Sequence, residues 1–239
     1  MLRGNAFLIM WHDIAPGEED DYQHWHTKQH MVERLWHPGF QRSRRGVNQH
    51  VDRQRFFTLY EGDALETFVS SEYLASLNEP TEWTNSVAPH FRNFLRCACQ
   101  VAHSSGRGVG GALASFRGGL PEGCDEQDFY KVLREWLEDL QNDPRVSGVH
   151  LAFARKEISN APTTETRIRP PMHEDDFDFV LIVESYGLCE ADALTLEVAE
   201  VLKGLRVTGL VSQQYDIAYT LQEGDLTPES VADALNRTG

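Results

Sequence analysis

The sequence contains no apolar run approaching the roughly 18 residues of a membrane-crossing helix. Basic residues are also scarce: 22 Lys and Arg stand against 37 Asp and Glu, a formal charge of −15. So acidic a surface repels phosphate backbones and anionic lipid, which argues against nucleic-acid and membrane partners. The segment Met1-Leu2-Arg3-Gly4-Asn5 has no basic, apolar and small-residue succession of a secretory leader, so a cytoplasmic location is expected. The four cysteines, Cys97, Cys99, Cys124 and Cys189, include no pair with zinc-ribbon spacing and read as reduced, ordinary thiols. Gly106-x-Gly108-x-Gly110-Gly111 lacks the Lys-Ser/Thr and the following helix of a phosphate loop, and no Gly-x-Ser-x-Gly elbow occurs.

What is present is a chain of 239 residues, 41% hydrophobic, ample for one or two packed domains. Asn5 to His12 is apolar almost throughout and predicts a strand covered on both faces. A helix follows over Glu19 to Trp36, with Tyr22, Trp25, Gln29, Val32 and Trp36 on one stripe and His26, His30 and Glu33 beside it. Pro38-Gly39 stops it. Phe40 to Asn48 and Arg55 to Gly62 read as a strand hairpin. A helical region over Leu65 to Leu95, broken near Pro80, leads to a fourth strand over Cys97 to His103, and Ser104 to Gly111 reads as a flexible hinge.

The second half repeats the order: strand 112–117, helix 125–142, strands 149–156 and 177–185, helix 190–205, strand 211–221, then a short helix at 228–236 capped by Thr227. Phe7 to Pro38 spans 31 positions, as does Leu113 to Pro144. The pattern implies an α+β chain of two tandem β-α-β-β-α-β modules with antiparallel sheets, residues 1–105 and 112–239, joined by a hinge at 106–111. A long loop from Ile158 to Asp176 marks the second module, a length typical of lids and binding loops; its His173, beside Glu174, reads as solvent-exposed.

The run Trp25-x4-His30-x2-Glu33-x4-Pro38-Gly39-Phe40, followed by Arg42, Arg44 and Arg45, resembles the dimeric α/β-barrel (ferredoxin-like) superfamily, and within it uncharacterised and EthD-like members. The motif likeness covers residues 5–62; beyond Gly111 only the order of elements matches. The resemblance implies two modules whose sheets face each other and close a barrel, here as a fused dimer, with helices outside. The second module lacks the helix histidine, having Arg134-Glu135-Trp136 there, so any site should be asymmetric. The superfamily includes cofactor-independent monooxygenases, isomerases, cyclases, haem-degrading enzymes and proteins without known activity, so the fold does not choose a reaction.

His30 is the candidate general acid/base and Tyr60 its candidate partner. Trp25, His26, His12, Arg44 and Trp83 are candidate substrate-binding residues, the arginine because guanidinium grips carboxylates and phenolates bidentately. The alternative for Arg42, Arg44 and Arg55 is a solvated strand face, and for the tryptophans core packing. Tyr60 and Glu61 must point to opposite faces of their strand. His26 and His30 lack the intervening glutamate of a zinc helix, and a site with His12 or Glu33 is the metal option. The expected function is a small-molecule enzyme without a bound organic cofactor or metal, acting on an aromatic or carboxylated metabolite. A non-catalytic binder or structural homodimer, and a haem or metal protein, are the alternatives, and whether the chain is catalytic stays open.

Overall fold

The computed structural model describes residues 1–159, 162–171 and 177–237. Strands β1 (Ala6–Ile14), β2 (Phe40–Val47), β3 (Phe56–Gly62) and β4 (Phe91–Gly106) build the first sheet, in the order β4-β1-β3-β2. Strands β5 (Ala112–Gly119), β6 (Val146–Ala154), β7 (Phe179–Ser185) and β8 (Thr208–Gln222) build the second in the equivalent order, β8-β5-β7-β6. All pairings are antiparallel, and β2–β8 and β4–β6 join the sheets into one closed eight-strand barrel. Two ferredoxin-like modules therefore face each other inside one chain.

The long strands β4 and β8 make this closure possible. Residues 91–100 of β4 pair with β1, and residues 99–106 continue onto β6. The fourth strand thus extends in both directions beyond Cys97–His103, and Ser104 to Gly106 are strand rather than flexible hinge. The expected 65–95 helical region is shorter and broken: a 3-10 turn at Leu65–Val69, α3 (Ser71–Asn78), α4 (Glu82–Val87) and a turn at Ala88–His90 that ends at β4. Thr81 accepts a hydrogen bond from the Thr84 amide and starts α4 afresh after Pro80.

Alternation along the strands sorts side chains into three cores. Phe7, Ile9 and Trp11 of β1 point into the barrel with Phe57, Leu59, Val180, Ile182 and Tyr215. Leu8, Met10 and Ile14 point outward beneath the first module's helices. Phe116, Leu151 and Leu181 point outward beneath α5 (Glu126–Leu140) and α8 (Leu188–Gly204). The modules are also tied by Trp11, whose indole N–H donates to Ser115 Oγ at 3.0 Å.

Arg42 and Arg44 do not form a solvated face. Their strand turns them into the barrel, where both are buried. Arg44 meets Glu61 at 3.1 Å and Glu184 at 2.8 Å; Arg42 grips Glu61 through two bonds of 2.9 Å. Burial would raise Glu184, but Arg44 and a hydrogen bond from His150 hold its carboxyl well below the usual carboxylate range. Periodicity alone places these arginines on one face; only barrel closure makes that face the interior.

The long connection after β6 is partly helical, with α6 (Lys156–Ser159) and α7 (Thr164–Ile168). It crosses to the first module, where α6 packs on β4 and α7 on α3. His173 lies outside the described residues.

Candidate active site

The site is built on the outward face of the first sheet. Antiparallel register sets Met10 opposite Thr58, His12 opposite Phe56 and Leu8 opposite Tyr60. Above this row runs the first helix, α1 (Glu19–Trp25), a π-helical turn at His26–His30, and α2 (Met31–Leu35). Residues five apart in a regular α-helix lie about 140° apart around the axis. The wider π-turn instead stacks Trp25 on His30, ring centroids 4.1 Å apart, and keeps His26 on the same wall, stacked on Tyr22 at 5.3 Å. Such turns concentrate at functional sites. The same offset leaves Trp36, expected on the buried stripe, 49% exposed.

His26 Nε2 and Tyr60 Oη are 3.2 Å apart. With the proton on Nε2, His26 donates to Tyr60, and the tyrosine O–H is free for a ligand. As alternation requires, Tyr60 faces this cavity while Glu61 faces the barrel interior. His12 is enclosed by aromatic rings: Phe56 stacks on it at 5.6 Å and Phe91 lies at 4.8 Å. Its two ring nitrogens, His26 Nδ1 and His30 Nδ1 are buried without a hydrogen-bond partner among the described residues. Buried polar atoms are ordinarily satisfied, and so many orphans around one space are a signature of a site that engages something else.

Burial keeps these groups neutral. It pushes His12 down to about 3 and His26 and His30 well below the usual imidazole range. It lifts Tyr60 and Tyr22 above the usual phenol value. Neutral imidazoles accept protons and neutral phenols donate hydrogen bonds at physiological pH.

His30, Tyr60, Met10 and Arg169 line two adjoining narrow cavities, each of about 20 Å³, room for one water. Trp25, His26 and His12 line one of them. The structure thus brings together His12, Trp25, His26, His30 and Tyr60. Arg44 is in the barrel interior, and Trp83 packs in the outer core with its indole N–H donating to Asp21 at 2.9 Å. The structure also adds Tyr22, Thr58, Arg34, Glu165 and Arg169. Glu165 and Arg169 arrive from the second module's long connection: Glu165 is buried between Arg34 and Arg169 and ion-paired to both. Burial would raise this carboxyl, but the two arginines hold it below its usual value. The loop's length was its only signal in the sequence.

Among the described residues the second module has no counterpart. The equivalent face of its sheet is closed by Phe129, Leu133 and Leu137 packed against Phe153 and Phe179.

The metal alternative does not fit the geometry. Among the described residues no three His, Cys, Asp or Glu side chains converge as metal ligands do. His30 Nδ1 and Glu33 Oε2 are 3.8 Å apart, and His26 Nε2 is engaged by Tyr60.

No family model and no curated protein sequence matches this chain. Solved structures do. A candidate monooxygenase from Fusobacterium nucleatum aligns over 92% of this chain and 96% of its own, with 9% identity and a TM-score of 0.60. An anthrone oxidase-like protein aligns over 92% and 93%, with 13% identity and a TM-score of 0.56. A mutant chlorite dismutase from Candidatus Nitrospira defluvii aligns over 96% and 94%, with 9% identity and a TM-score of 0.55. At these identities the likeness is one of fold, and it agrees with the strand order and closure: the chain has the dimeric α/β-barrel fold, with both halves of the barrel in a single polypeptide.

Proposed function

We propose that the chain is an enzyme that removes a proton from a small aromatic molecule at the histidine cavity of its first module, without a bound organic cofactor. The observation that carries this reading is the convergence of unpartnered imidazole nitrogens, with the Tyr60–His26 hydrogen bond, on one aromatic-walled cavity among the described residues. His30 lines both compartments and is held neutral, the state of a general base. Tyr60, a neutral phenol polarised by His26, donates to the oxygen on which negative charge develops. His12 and Trp25 shape the apolar wall.

An enolisable aromatic ketone presents the carbon-bound proton and the carbonyl oxygen that these two groups would serve, and one structure sharing the fold is an anthrone oxidase-like protein. Anthrone is therefore the first probe: with dioxygen as oxidant it yields anthraquinone and water, and loss of a carbon-bound proton opens that reaction. Within a panel of such ketones and phenols, the wild type turns over at least one, and His30→Ala folds but loses about 10²–10⁴-fold of the rate. An unchanged rate in His30→Ala overturns the proposal. Ligand-induced thermal stabilisation of the wild type with no product from any panel member assigns the cavity to a binding protein instead.

A further inference from the structure

The histidine cavity does not end at Tyr60. It adjoins a vestibule of about 230 Å³ lined by Phe94, Arg96, Ser159, Thr166, Arg169 and two prolines, and Arg96, Thr166 and Arg169 line both spaces. Its walls have two characters: Phe94, Pro170 and Pro171 are apolar, whereas two guanidiniums and two hydroxyl residues are polar. Pockets that orient an organic ligand have this composition, an apolar body with a few convergent polar groups.

The local charge runs against that of the whole molecule. In a chain of formal charge −15, Arg34, Arg96 and Arg169 gather around the single carboxylate of Glu165. Arg34 and Arg169 share Glu165, and Arg34 also meets Glu33 at 3.4 Å. Arg96 donates to the Ser159 carbonyl at 2.7 Å and has no carboxylate within ion-pair distance among the described residues. Among the described residues, three cations thus face two carboxylates, and the surplus is at the vestibule. The Arg169 guanidinium lies over Phe94, its central carbon 4.8 Å from the ring centroid, and over Phe91 at 5.7 Å. These contacts and the ion pair with Glu165 hold the guanidinium in place beside the vestibule.

We infer that this vestibule binds the carboxylate of an aromatic acid, with Arg96 and Arg169 gripping the anion and the ring directed past Phe94 toward Tyr60 and His30. A carboxylate can accept from the N–H groups of Arg96 and Arg169 that Ser159 and Glu165 leave over, and a partly desolvated site strengthens the contact. The inference rests on the reading that the histidine cavity is the reacting end, and it narrows the substrate class: aromatic ketones and phenols that also carry a carboxylate are held more tightly than their neutral counterparts. It also gives the fused chain a purpose, since Arg96 comes from the first module and Arg169 from the second.

The test is calorimetric binding of 2-naphthoate and its neutral isostere 2-naphthamide to the full chain. The wild type is expected to prefer the acid by about tenfold or more, a preference that weakens with added salt. In Arg96→Gln the preference falls to about threefold or less while the amide binds as before; Arg96→Lys retains part of it. Arg96 is only partly buried, and a melting curve confirms that the variant folds. His30→Ala keeps the preference even where turnover is lost, so binding-site and catalytic readings fail separately. Equal affinity for acid and amide in the wild type, no binding of either, or a preference that survives in Arg96→Gln overturns the inference.

Discussion

Replacing Arg44 by Met separates a structural arginine from a ligand-binding one. Arg44 is fully buried and touches both Glu61 and Glu184. Without it Glu61 keeps Arg42, but Glu184 keeps only a neutral His150 at 3.0 Å and the Gly110 amide at 3.0 Å. Removing one partner of such a buried pair costs about 3–5 kcal/mol. In a chain of this size that lowers the melting temperature by roughly 6–20 °C. The cost depends on pH. The Glu184 carboxyl is held below its usual value in the folded state, so Arg44's contribution is complete above about pH 4.5 and is lost as pH falls through the folded value. In the variant Glu184 takes up a proton more readily, and His150, relieved of the arginine's repulsion, can also charge. Both changes offset the loss in acid. Urea unfolding of the two proteins at neutral pH and below pH 4.5 should therefore show a large stability gap that narrows on acidification. The depressed histidines of the candidate site are common to both proteins and cancel in the difference. A gap under 1 kcal/mol, or one that does not change with pH, refutes the reasoning. Loss of ligand binding with stability intact would return Arg44 to the substrate-binding set.

The candidate site makes its own pH prediction. His26 and His30 are neutral well below pH 6.5, so kcat/KM should stay level as pH falls past that value, and an inflection at or above it would contradict the assignment. The same depression means that folding stability declines as pH drops below 6.5, because the unfolded chain takes up protons that the folded one refuses. Ser115→Ala leaves the buried Trp11 indole N–H without its acceptor and should cost about 1–3 kcal/mol in urea unfolding. Gly46→Ala places a Cβ 2.8 Å from that of Tyr215, where β2 and β8 join the two sheets, and should cost about 1–3 kcal/mol by the same measurement.

Local periodicity carried much of this protein. The apolar run at 5–12, the Pro38-Gly39 stop and the matched 31-residue spacings are short-range signals, and each corresponds to an element of the barrel. The strand period of two sent Tyr60 and Glu61 to opposite faces, and the helical spacing put His26 and His30 on one side. The π-turn escaped because side-chain spacing does not register one residue of extra backbone, so Trp36 was placed on the wrong face. The extent of β4 escaped because Phe91 to Arg96 has no turn signal before it and pairs with a strand some 80 positions earlier.

By itself the amino-acid order determined the two-module α+β architecture and the face of the first helix that carries histidines, since both follow from repeats of two to four residues. Tertiary structure alone decided which face of the arginine-rich strand is enclosed and that Glu165 and Arg169 reach the histidine cavity from the other module. Those facts depend on closing a barrel and on one connection crossing between its halves. Contacts between residues more than a hundred positions apart leave no trace in local spacing.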